Sequence, residues 1–152
     1  MQSGQVSRAA YLLGFAGLLP QGAAVWLTTG DHSKLTTLGY AVALFYGAVI
    51  LSFLGGVWWG LAMRRADHQA PLAAAAVMPS LVAVAIIAWA GVLGTETSPG
   101  PLVALGVALL LTLPIDRYLA TTGEAPAGWM SLRVPLSLGL GGLTILAGVL
   151  AR

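Results

Sequence analysis

The sequence predicts an all-α polytopic membrane protein, a bundle of five transmembrane helices. Three observations predict it. The chain is 58% hydrophobic and only 8% charged, whereas soluble domains carry about 25% charged residues. Its apolar residues fall into five long runs, each near the roughly 20 residues a spanning helix needs. Strands of a membrane barrel would alternate over about ten residues, and these runs do not. The runs fit within one transmembrane domain covering residues 1–152.

The first span is expected over residues 9–28. Arg8 and the small residues Gly22-Ala23-Ala24 resemble a cleaved leader, but the apolar run continues past them, so it reads as a retained helix. The second span is expected over 35–63, the third over 71–93, the fourth over 101–119 and the fifth over 130–151. Short connectors make consecutive helices antiparallel neighbours. Pro20, Pro79, Pro114 and Pro135 lie inside the first, third, fourth and fifth spans, where each removes a helical hydrogen bond and favours a kink.

Orientation is read from the basic residues. One side receives Arg8, Arg64, Arg65, Arg117 and Arg133, and the other receives Lys34 and Arg152. Five against two places the N-terminus inside and the C-terminus outside. The net charge of +2 contains no basic cluster, so no nucleic-acid partner is expected; membrane lipid and other membrane proteins are. The absence of cysteine excludes disulfides and thiol chemistry. His32 and His68 fall on opposite sides of the membrane, so no metal site and no cofactor is expected. No nucleophile–base arrangement or catalytic carboxylate pair is visible. Asp31, Glu96 and Glu124 fall in connectors and read as solvated.

The second span holds the most informative stretch, Ile50 to Gly60. Ala48, Ser52, Gly56 and Gly60 recur every fourth residue and form a bare stripe suited to close helix packing. Trp58 and Trp59 close the stripe. Adjacent helical positions diverge by about 100°, so at least one ring points inward. Trp26, Trp89 and Trp129 read as interfacial belt residues. Arg133 sits one turn into the fifth span, where a charge is costly unless paired or able to snorkel. Asp116 follows Pro114 near the same end of the fourth span. Antiparallel packing brings the two to one depth, so an Asp116–Arg133 ion pair is expected. A ligand-binding constellation would comprise Ser52, Trp59, Asp116 and Arg133.

Several motifs resemble the transmembrane protein 69 family. They are Tyr11 to Pro20, Tyr46 to Gly60, Pro79-Ser80 and Leu132-Arg133, in that order and spread over nearly the whole chain. The resemblance implies a five-helix inner-membrane protein, bacterial or mitochondrial, of unknown function. The family more often has a polar or basic residue where this chain has Trp58. The resemblance therefore points to Trp59 rather than Trp58 as the residue with a shared role. Two functional readings follow. The first is a binding or accessory protein that packs against lipid or a larger membrane complex. The second is a small carrier or sensor with an inward-opening cavity near Trp59, Asp116 and Arg133.

Overall fold

The computed structural model describes residues 6–30, 32–92 and 97–151. Among the described residues seven helices build five candidate spans: α1 (Arg8–Ala16), α2 (Leu19–Thr28), α3 (Ser33–Ala62), α4 (Gln69–Val92), α5 (Pro99–Leu110), α6 (Leu113–Thr121) and α7 (Trp129–Leu150). The first span is α1 with α2, and the fourth is α5 with α6. Large apolar side chains stand exposed around the bundle, among them Leu12, Leu13, Trp26, Phe53 and Val92. Such a perimeter suits hydrocarbon, not water.

Prolines act differently by position. Pro20 and Pro114 stand at the first turns of α2 and α6, each just after a two-residue break. Proline is tolerated there because the first-turn N–H groups have no intrahelical acceptor. Pro79 and Pro135 lie inside α4 and α7, which continue through them without a break. The break at Gly17 is tied down from outside, where the Tyr46 hydroxyl donates to the Gly17 carbonyl at 2.5 Å. At the second break Thr112 donates to the Leu109 carbonyl at 2.7 Å.

α3 is the longest element, with 30 residues, about 45 Å at 1.5 Å per residue. It packs against α2 and α4, while α5 packs along α7. Leu51, Leu102, Leu105 and Leu109 fill the centre and are essentially inaccessible. Polar groups also enter this core: the buried Gln21 amide donates to Thr144 Oγ1 at 2.7 Å, and Thr144 donates to the Leu140 carbonyl at 2.7 Å.

The helix seams are not where the four-residue stripe put them. Ala48 is buried, but Gly56 and Gly60 are exposed, and a Cβ at either would meet nothing within 4 Å. Ser52 is half-buried. The close approach on α3 is one residue earlier, at Gly55, where a Cβ would overlap the Ala76 carbonyl and stand 3.3 Å from the Pro79 ring. Gly106 and Gly141 do the same for α5 and α7: a Cβ on Gly106 would stand 2.7 Å from the Gly141 carbonyl. The stripe is thus not the intramolecular seam, because α3 is rotated so that its neighbour faces Gly55.

Candidate functional site

One buried polar cluster joins three spans. Asp116 is 0% exposed and Arg133 6%. The Arg133 Nε donates to Asp116 Oδ2 at 2.8 Å, forming the expected ion pair. Trp58 donates its indole N–H to the other carboxylate oxygen, Oδ1, at 3.0 Å. Arg133 Nη2 donates to Thr112 Oγ1 at 3.3 Å. The guanidinium carbon also lies 6.0 Å from the centre of the Trp129 ring, within reach of a cation–π attraction.

The local sequence explains the convergence. Pro114 starts α6 afresh after the break, so Asp116 falls in its first turn, where a carboxylate also faces the positive end of the helix dipole. Gly128 adopts a left-handed φ of 81° and starts α7 at Trp129, which only glycine does without strain. Arg133 then lies one turn along α7. Both carboxylate oxygens are engaged, and the two charges cancel. A buried pair satisfied in this way avoids the heavy cost of an unmatched ion in hydrocarbon.

Not all the expected site residues meet here. Trp59 is 46% exposed and points away from the cluster, whereas Trp58 is 2% exposed and inside it. The inward ring is therefore Trp58, and the one the family resemblance singled out for a shared role, Trp59, is the outward one, because α3 turns the Gly55–Trp58 face toward its neighbours. Ser52 lines a separate shallow groove with Phe45, Ala83 and Ile87, among others, between α3 and α4. Asp116 and Arg133 come together; Ser52 and Trp59 join neither of them.

Beside Arg133 lies a cavity of about 300 Å³. It is bounded by the broken first span (Leu13, Gly14, Gly17), by Phe53 and Leu54 of α3, and by α7. Its lining is apolar except for Arg133 and Ser137. Ser137 is 3% exposed, and its Oγ has no hydrogen-bond partner among the described residues. Leu13 and Phe53 are exposed on the outer surface, so the cavity reaches the flank of the bundle between α1 and α3. Sequence reasoning missed Ser137. The available signal was its position four residues after Arg133, which places both on one helix face.

A second ion pair ties the loops at the same end. Arg65 Nε and Nη2 donate to the two Glu124 oxygens, each at 2.7 Å. This hydrogen bonding holds the Glu124 carboxyl below its ordinary pKa and the Arg65 guanidinium above its own. Glu124, expected to be solvated, is instead a partner in a two-pronged bond. Arg65, His68, Tyr118 and Glu124 border an open hollow of about 560 Å³. Asp31 and Glu96, and with them Arg152 of the charge count, lie outside the described residues. Among the described residues no three His, Cys, Asp or Glu side chains group as metal ligands do.

No curated protein and no solved structure matches this chain. A family model does, over residues 6–150, and its description is a protein of unknown function, DUF3429. A match over that much of the sequence takes in every helix and both ion pairs, and the chain belongs to the DUF3429 family.

Proposed function

We propose that this chain is a binding or accessory protein of the inner membrane, one transmembrane domain oriented with its N-terminus inside, that holds an apolar molecule from the bilayer. The observation that carries this reading is the cavity between α1, α3 and α7, which is apolar, borders the flank of the bundle and has the volume of a small ligand site. The likeness to the transmembrane protein 69 family fits a five-helix inner-membrane protein and adds no activity to it. The excess of arginines at the Arg8 end supports the orientation. The carrier or sensor reading has less support, since Trp59 faces outward and the Asp116 carboxylate is fully engaged by Arg133 and Trp58.

Gentle detergent extraction followed by mass spectrometry of lipids and proteins tests the proposal. One apolar species enriched over the bulk membrane, near one per chain, is the expected result. A composition matching the bulk membrane would reject lipid holding. A stoichiometric protein partner without an enriched lipid would favour a purely accessory role.

A further inference from the structure

We infer that the cavity beside α7 recognises a neutral carbonyl oxygen carried on an apolar molecule, with Arg133 and Ser137 as the two donors. The inference rests on the lipid-holding reading and specifies its ligand. Arginine has five N–H donors. Nε is spent on Asp116 and one Nη2 hydrogen on Thr112, while Nη1 has no partner among the described residues. Ser137 lies one turn further along the same helix, buried, with its hydroxyl unpaired. Both residues line the cavity, and both offer hydrogens. What they lack in common is an acceptor.

Charge selects which acceptor. Asp116 already neutralises Arg133. A carboxylate or phosphate entering beside them would leave a net negative charge in a low-dielectric site, at the cost of burying an unmatched ion. A carbonyl oxygen accepts from both donors and adds no charge. Depth agrees with this. Arg133 and Ser137 lie about 6 and about 12 Å along α7 from Trp129, at 1.5 Å per residue. Both therefore lie inside the fifth candidate span, Trp129–Leu150, within reach of groups carried on an apolar body. The rest of the lining, Leu13, Ile50, Phe53, Leu54, Leu109 and Leu140 among it, suits a hydrocarbon tail. Two membrane sources present this chemistry: the ester of an acylglycerol and the ring carbonyl of an isoprenoid quinone.

The test uses the full chain in nanodiscs of dialkyl ether phosphatidylcholine, which has no ester carbonyl to compete. Native mass spectrometry then counts bound decylubiquinone or bound monoolein as each is titrated. Saturable binding of one molecule is expected, and the probe that binds identifies the source. Ser137→Ala, which keeps the cavity and removes one donor, should weaken binding about three- to tenfold, the worth of one buried hydrogen bond. Ser137→Leu, which fills the cavity, should abolish it. If Ser137→Leu does not fold, Ser137→Ala decides alone, with an unchanged melting temperature as its control. Binding of neither probe overturns the inference, as does wild-type affinity in Ser137→Ala. A lipid that co-purifies with wild type and with both variants alike would leave the lipid-holding reading standing and remove this site from it.

Discussion

Arg133 and Asp116 meet at 2.8 Å among the helices, and Arg65 and Glu124 meet at 2.7 Å in the loops at the same end. The chemistry is the same and the surroundings are not. Arg133 and Asp116 have side chains 8% and 1% exposed, against 17% and 24% for Arg65 and Glu124. The loop pair has the better geometry, with two parallel bonds, yet water can replace either partner when the other leaves. Inside the bundle nothing replaces a lost partner. The comparison teaches that an ion pair's importance follows from what surrounds an abandoned charge, more than from the bond it makes.

The most damaging break in this comparison is Asp116→Asn. It keeps the side-chain shape and leaves the Arg133 cation unmatched, so a loss of about 3 kcal/mol or more is expected in thermal or denaturant unfolding in detergent. Replacing both Asp116 and Arg133 by leucine should recover most of that loss, since no buried charge then remains. A double variant as unstable as Asp116→Asn would show that the pair contributes more than charge balance.

The next effect belongs to the tryptophans. Trp58→Phe removes the indole donor to Asp116 Oδ1 and should cost about 1.5 kcal/mol or more, as hydrogen bonds to charged groups do. Trp59→Phe, on the exposed face, should stay within about 0.5 kcal/mol of wild type. Equal losses for the two would mean that α3 is rotated from the orientation described.

The smallest effect is expected at Glu124, where pH sharpens the contrast. The Glu124 pKa is lower in the folded protein than in the unfolded chain because of the Arg65 hydrogen bonds. Its contribution is therefore fully present above the unfolded value, and it is lost as pH falls through the lowered one. Glu124→Gln should lower the melting temperature slightly at pH 7. The gap from wild type should close on acidification through that range. A gap that persists in acid would separate the loop tie from the carboxylate's charge.

What could be read from the sequence divides along a physical line. The five spans were legible because apolar length reports membrane crossing directly. The Asp116–Arg133 pair was legible because a short connector between antiparallel helices fixes relative depth. Helix rotation was not. α3 is apolar on nearly every side, so its pattern carries little information about which face meets protein and which meets lipid. One residue of phase separates Gly55 from Gly56 and Trp58 from Trp59, and the packing of Pro79 and the Ala76 carbonyl decides it. The proline breaks at Gly17 and Thr112 likewise depend on where each helix restarts, which composition does not record.

The buried pair also bears on biogenesis. Asp116 emerges from the ribosome before Arg133 and reaches the bilayer on a different span. An unpaired aspartate at the centre of a helix opposes insertion by about 2.5–3.5 kcal/mol, and less toward its end. The cation that meets this carboxylate, Arg133, comes only with the fifth span. The ion pair thereby couples the last two candidate spans, so a chain cut between them would leave Asp116 without its cation.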